Sequence, residues 1–591
     1  MRHFSSVVLL SLVLVHRMPA QPVSVEVDAG RFVRTVNPLL FGLNTARWDE
    51  SLFPAASDRM LLSCDRDAIA KVRASGVTLL KYPGGNDADA YIWNAPGNNA
   101  TEMDTDEYLA FCREVGAEPF ITVNFNQPPE LAAAWVRYCN GRHGTPVRYW
   151  EVGDEQWGWW AKGHSTPEAY AAKYITFVKA MKAVDPGIKV ATNVFLGLHP
   201  EHWTERVLAA AGDYIDMLSV TFYPQQWGKE NDDSLLASAA GYREAFSRLR
   251  RDVEHAVGTE RAGRLLFVNV GYNSVNHSPG PQTLQMVNAL WVADMLGSMA
   301  ATGTDIACYW ALHNAFPPRG GDYGYLSSEG KNTPSFSYYV FPLFRQTFCD
   351  SLVASTSSDP LVHAYATRSG NRAGIIVLNC SATDGKRVAL HWQRFNAASR
   401  ARAVLLDSTH LNQRCPDPVV ESGRTEVDLP PRAILAVQYI TRDSVIPPPN
   451  LAREAHASAS SCSTIGPAFG PESAIDGEQS TRWNSAAWTK SDGKEQQWLM
   501  LSWDTPRRCT TVRIMWGESW ARQYRLEISD DGSVWQPLQE IMAGNGGSEQ
   551  YTFAPFTARH LRMFGMLGTG GRSTISAYSI REFEVYDGVP R

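Results

Sequence analysis

The chain has 591 residues, more than one hydrophobic core holds, so several domains are expected. Charged residues make up 20% and the net charge is -6 with no basic run, which excludes the basic-patch classes, nucleic-acid binders and anionic-membrane binders. The 19 Trp and 22 Tyr fit a neutral, polyhydroxylated ligand better than a phosphate.

Arg2 and His3 precede the apolar run Val7–Val15, and Met18-Pro19-Ala20 offers a small-residue exit. This is the layout of a secretory signal peptide over residues 1–20, and the expected location is extracellular or periplasmic. No later run is long and apolar enough to span a bilayer, so no transmembrane segment is expected. The nine cysteines are scattered without a CxxC pair, which argues against a zinc site and a small disulfide framework.

Val23–Val27 and Phe32–Val36 alternate as short leading strands. From Pro38 to about residue 330, apolar strand runs alternate with amphipathic stretches such as Thr105–Val115 and Pro167–Val184. The runs include Thr78–Tyr82, Pro119–Asn124, Val147–Val152, Lys189–Asn193, Met217–Phe222, Leu265–Val270 and Asp305–Leu312. Some eight strand-helix units predict a TIM barrel. A doubly wound sheet is the alternative, but no GxGxxG turn follows the first strand.

Barrel enzymes build their sites just past the strand ends. Here those positions hold Asn44, Tyr82–Asn86, Asn124, Asp154-Glu155, Asn193, Tyr223, Tyr272-Asn273 and His313-Asn314. The stretch Tyr149–Trp160, YWEVGDEQWGWW, stands out. Two carboxylates follow a strand and are walled by indoles, which suits a general acid whose pKa is raised by exclusion of water. From about residue 335 the pattern becomes short alternating strands without a helical period, read as a β-sandwich to which the strands before residue 37 are candidate members. Pro447-Pro448-Pro449 marks a semi-rigid linker, and another all-strand region follows.

Asn44–Asp49 (NTARWD), Tyr82–Gly85 (YPGG), Tyr149–Gly158, Asp216–Gln225, Tyr272–Ser274 (YNS), Tyr309–Asn314 (YWALHN) and Gly321–Ser327 occur in an order that resembles the arabinofuranosidase-like glycoside hydrolases of the (β/α)8 clan. Ala474–Gly477, Thr481–Trp483, Gln497–Leu499, Tyr524–Gly532 and Ile580–Tyr586 resemble discoidin-type (coagulation factor 5/8 C-like) domains, many of which bind carbohydrate. The expected fold is therefore multidomain, α/β plus all-β. The divisions are 1–20 signal peptide, 21–334 TIM barrel with leading strands, 335–441 β-sandwich, 442–453 Pro-rich linker and 454–591 discoidin-like β-sandwich (jelly roll).

The resemblance implies retaining hydrolysis by two carboxylates and a polysaccharide or glycan partner. The acid/base follows an Asn at the end of the fourth barrel strand, and the nucleophile is a Glu ending the seventh. Glu155 matches the acid/base, and the preceding Asn is Asp154. The nucleophile position holds Gly271, and no Asp or Glu lies between Glu260 and Asp294. Thr221 replaces a His, and Lys81 replaces an Arg. The implied substrate-binding residues are Asn44, Trp93, Asp154, Thr221, Tyr223, Trp310 and Asn314. No cofactor is implied for the barrel. A structural calcium ion is implied for the C-terminal module, with Asp476, Thr481 and Glu582 as side-chain ligands.

Two readings stay open. An altered hydrolase would borrow another carboxylate, with Asp87, Asp89 and Asp322 near strand ends. A catalytically silent barrel would still bind glycan. Asp154 is not expected to serve as that second carboxylate, because neighbours on a strand point to opposite faces.

Overall fold

The computed structural model describes residues 22–49, 52, 65–95, 102–142, 146–199, 201–328, 332–441, 450–464, 470–489, 496–568 and 575–588. The signal-peptide reading and the Pro447–Pro449 run lie outside these residues. The chain forms two compact units, Met1–Ser444 and Val445–Arg591.

In the first unit, β1 (Val23–Thr35) is followed by eight parallel strands that close into a barrel. These are β2 (Gly42–Asn44), β3 (Leu79–Tyr82), β4 (Glu118–Val123), β5 (Tyr149–Val152), β6 (Lys189–Asn193), β7 (Met217–Phe222), β8 (Leu266–Tyr272) and β9 (Ile306–Tyr309). The intervening helices carry local start and stop signals. Thr105–Val115 opens on a capping box between Asp104 and Glu107 and closes at Gly116, whose φ of 79° suits glycine.

The two-residue period of the strands decides what fills the barrel. Leu79, Phe120, Tyr149, Ala191, Met217, Val268 and Ile306 form an apolar inner layer. Two residues further along, five of these strands place Lys81, Thr122, Glu151, Asn193 and Ser219 inside, all buried. The barrel is thus apolar below and polar toward the C-terminal ends of its strands.

The leading strands join the sheet that follows the barrel, and only their division into two differs from expectation. They are one bulged strand, β1, which lies between Ser351–Ser357 and Lys386–Gln393 in a curled ten-stranded sheet. This N-terminal segment therefore completes the sheet of residues 351–440 rather than the barrel wall. A helix, Phe336–Thr347, precedes that sheet, although no helical period was expected there. Its aromatic residues Phe341 and Phe344 are buried and explain why the pattern reads as apolar throughout.

The second unit is antiparallel and built on two long strands, Trp498–Trp516 and Ser548–Gly568, that pair with each other through register shifts. Its own core includes Trp483, Trp503, Trp516, Tyr524, Phe583 and Val585. The expected linker end at 453 falls inside this unit. Leu451–Glu454 is a 3-10 turn capped by Asn450, and the Leu451 carbonyl accepts from Trp503 Nε1 at 2.9 Å. The eight described cysteines, Cys112 to Cys509, are free. Among the described residues no helix is long and apolar enough to cross a membrane.

Candidate active site

The turn after β5 is held from three sides. Gly153 has φ 69°, and a Cβ there would press on Gln156 at 2.8 Å. The buried Asp89 carboxylate accepts from Asp154 N (3.0 Å), Phe125 N (2.9 Å) and Gln156 Nε2 (2.8 Å). Asn193 Oδ1 accepts from Gln156 N, and its amide donates to Gly153 O and Glu151 Oε1. Between these clamps Glu155 adopts φ 49°, a conformation rare outside glycine and found where surroundings impose it.

That turn corrects one expectation. Asp154 and Glu155 are past the strand, so strand alternation no longer separates them. The Asp154 charge acts on Glu155, and both carboxylates act on the Tyr223 phenol. Burial, then the Asp154 charge, pushes the Glu155 pKa up to about 7 against the bonds that favour its ionised form. Those bonds come from Thr221 Oγ1 to Oε1 (2.6 Å) and from Trp160 Nε1 to Oε2 (3.0 Å). Trp157, Trp160 and Trp159 continue outward edge to face, with centroids 5.2 and 5.8 Å apart, and Trp159 is 83% exposed.

Asp154 is buried, with one partner on each oxygen. Its Oδ1 lies 3.2 Å from Lys81 Nζ, and its Oδ2 accepts from Asn86 at 2.9 Å. Lys81 also lies 3.2 Å from Glu151 Oε2, which further accepts from Thr122 at 2.9 Å. Burial disfavours the Lys81 charge, but Glu151 and Asp154 outweigh it and hold the ammonium above the usual lysine value. Burial pushes the Glu151 carboxyl up, against Lys81. Glu151 was missed in the sequence. The available signal was an acidic residue at an inward position of a buried strand, with a matching lysine in β3.

Across the mouth, β7 and β8 pair Thr221 with Gly271 after a bulge. Glu155 and Gly271 therefore meet at one end of the barrel, joined through Thr221. The vacated position is not empty space: a Cβ on Gly271 would lie 3.0 Å from the Tyr223 hydroxyl and 3.6 Å from Thr221 Cγ2. Trp310 leans on Gly85 and donates to Asn314 Oδ1 at 3.0 Å.

Two expected substrate-binding residues have other work. Asn44 donates to the carbonyls of Val270, Cys308 and Tyr309, tying β2 to β8 and β9. Trp93 stacks on Trp135 at 5.7 Å and donates to Leu131 O, packing against the helix Pro129–Arg142. The candidate replacement carboxylates are likewise committed. Asp87 pairs with Arg47 at 2.6 Å, Asp89 clamps the acid turn, and Asp322 accepts from Gly324 N at 2.6 Å.

In the second unit, Thr481 Oγ1 donates to both Asp476 oxygens at 2.8 Å. Both Glu582 oxygens are buried without a hydrogen-bond partner among the described residues. Burial, then the Asp476 charge, pushes the Glu582 pKa up to about 8. No group of three His, Cys, Asp or Glu is assembled for a metal among the described residues, so hydroxyl and carbonyl oxygens would have to complete any cation shell there.

Residues 456–579 match the family model described as the F5/8 type C domain. The chain is similar to a probable alpha-L-arabinofuranosidase C of Aspergillus clavatus, 27% identical over 204 residues, which is 28% of this chain and 40% of that protein. It is also similar to an intracellular exo-alpha-(1->5)-L-arabinofuranosidase of Streptomyces lividans, 25% identical over 270 residues, 39% of this chain and 41% of that one. The matched segments thus span about two fifths of these curated relatives. Among solved structures, an alpha-L-arabinofuranosidase from Thermotoga maritima in an arabinose complex superimposes with a TM-score of 0.61 at 21% identity, covering 70% of this chain and 99% of that one. A Paenibacillus polymyxa xyloglucanase gives 0.54 at 12% identity, covering 71% and 99%. The fold is that of a glycoside-hydrolase barrel with its companion sheet.

Proposed function

We propose that this is an exported carbohydrate-active protein whose barrel acts on glycosidic bonds of arabinofuranoside-like or related polysaccharide side chains. The observation that carries the reading is Glu155. It is a carboxyl with a pKa near 7, placed at the barrel mouth by two hydrogen bonds and walled by indoles. A group in that state can protonate a leaving oxygen at neutral pH and take a proton back from water. Gly271 withholds the usual nucleophile. This favours a second reading, a silent barrel that binds glycan without cleaving it.

A panel of aryl glycosides, with and without azide or formate, separates the two. Turnover that depends on added anion, and that Glu155→Gln lowers most for the poorest leaving groups, supports the acid role with a vacant nucleophile position. Turnover of wild-type protein without anion means that another group attacks. Glycan binding with no turnover under any condition leaves the silent reading.

For the second unit we propose glycan binding, with a calcium ion held by Asp476, Thr481 and Glu582. The unpartnered Glu582 oxygens fit a hard cation, which would brace the turn after Ala474. A melting transition unmoved by calcium or chelator would remove the metal, and a blank glycan array would remove the binding role.

A further inference from the structure

The end of β8 offers a donor where a nucleophile is expected. The Tyr223 hydroxyl stands 3.0 Å from the first side-chain atom that Gly271 lacks, and among the described residues it makes no hydrogen bond. Burial and the neighbouring Glu155 charge hold its phenol well above the usual tyrosine value, so it keeps its proton. A neutral phenol is a poor nucleophile but a good hydrogen-bond donor. The other departure points the same way. Where an Asn could donate an N–H to a sugar hydroxyl, Asp154 can only accept. Lys81 and Asn86 each occupy one lone pair on its two oxygens, leaving acceptor capacity on both.

An acid, a fixed carboxylate beside it and a free O–H donor at the nucleophile's place complement a sugar that brings its own nucleophile. A 2-acetamido group has an N–H for Asp154 and a carbonyl oxygen for Tyr223. That oxygen reaches the anomeric carbon by closing a five-membered ring. Resting on the reading of Glu155 as the proton donor, we propose that the barrel takes a 1,2-trans 2-acetamido-2-deoxyglycoside, and that the acetamido oxygen rather than a side chain attacks the anomeric carbon.

The step balances with the residues present. Glu155 gives its proton to the glycosidic oxygen as the anomeric C–O bond breaks and the alcohol leaves. The acetamido oxygen bonds to the anomeric carbon, and the positive charge passes into an oxazolinium ring whose N–H faces Asp154. The Asp154 carboxylate stabilises that charge, which an amide could not. Water then gives a proton to the Glu155 carboxylate and bonds to the anomeric carbon as the ring opens. Two inversions leave the configuration retained. Substrate-assisted hydrolysis of this kind is an established exception to the two-carboxylate scheme.

The test compares 4-nitrophenyl 2-acetamido-2-deoxy-β-glucoside and -galactoside with their 2-hydroxy counterparts and with 4-nitrophenyl α-L-arabinofuranoside, without added anion. The acetamido sugars should give a kcat/KM larger by about a hundredfold or more, and each fluorine placed on the acetyl group should lower it. The thiazoline of N-acetylglucosamine, which mimics the closed ring, should bind wild-type protein about a hundredfold tighter than N-acetylglucosamine. Asp154→Asn should lower kcat about tenfold with little change in KM. Equal or faster turnover of the 2-hydroxy sugars would overturn the inference and leave Glu155 as the acid. Undiminished turnover of the methyl 2-acetamido-2-deoxy-β-glycosides, whose leaving group needs the proton, in Glu155→Gln would overturn both. No turnover of acetamido sugars together with no thiazoline binding would overturn the inference without any variant having to fold.

Discussion

The molecule buries a raised glutamic acid beside an aspartate in two places, and the surroundings differ. At the barrel mouth, Glu155 receives bonds from Thr221 and Trp160, and Asp154 is answered by Lys81. In the C-terminal unit, both Glu582 oxygens lack a partner among the described residues, and the Thr481 hydroxyl is spent on Asp476. The first carboxyl is satisfied by protein donors, so it is free to trade its proton with a substrate. The second carries its desolvation cost with no protein N–H or O–H bonded to either oxygen among the described residues, offset only by the charge of Arg453. A raised pKa alone does not tell the two carboxyls apart; the donors around them do.

The comparison is broken most directly at Glu155. Glu155→Gln should cost about two to four orders of magnitude in kcat on glycosides with poor leaving groups, and much less on activated aryl glycosides. A uniform loss across leaving groups would mean that the residue only shapes the pocket. The next effect is on stability. Lys81→Met leaves two buried carboxylates unanswered and should destabilise the first unit by about 3–5 kcal/mol in denaturant unfolding. Adding Asp154→Asn should recover part of that loss if the charges are coupled as drawn.

Gly271→Glu sharpens the account of the vacated position. Its Cβ meets the Tyr223 hydroxyl at 3.0 Å, so that phenol must give by a few tenths of an ångström. Paired with Tyr223→Phe, it should raise hydrolysis of aryl arabinofuranosides by about a hundredfold, because a tethered nucleophile has a high effective molarity. A folded double variant with no gain would show that the pocket no longer fits a furanoside. In the C-terminal unit, chelation should lower the melting temperature by several degrees, on the order of 1 kcal/mol for a domain of this size, and Glu582→Gln should abolish the response.

A further check on the first unit is the pH dependence of stability at the acid. Glu155 has a pKa near 7 folded against 4.5 for the free side chain. Between those values the folded state holds the extra proton, so raising the pH through the window from about 4.5 to about 7 weakens wild type relative to Glu155→Gln. Parallel stability curves for the two proteins would show that Glu155 titrates normally.

Much of this was legible along the chain. The eight alternating runs announced the barrel, because parallel strands covered by helices read as short apolar segments. The position of Glu155 and the loss of a carboxylate at Gly271 are properties of single residues in ordered motifs. The assignment of β1 was legible only as an alternative: its pairing partners lie more than three hundred residues away, and periodicity carries no information about which sheet a strand joins. Trp93 and Asn44 show the same limit. An aromatic near a strand end can turn to a helix, and an amide can be spent on carbonyls.

By itself the sequence determined which side chains stand at the strand ends, a carboxyl at Glu155 and none at Gly271. Side-chain identity and strand period are local, and those statements depend on nothing else. The tertiary structure alone decided that Asp154 and Glu155 share one pocket, that Lys81 answers Glu151 and Asp154 together, and that the Tyr223 hydroxyl stands at the vacated position. Those facts follow from a left-handed backbone turn at Glu155, a bulge between β7 and β8, and barrel closure, which bring residues distant in the chain within a few ångströms.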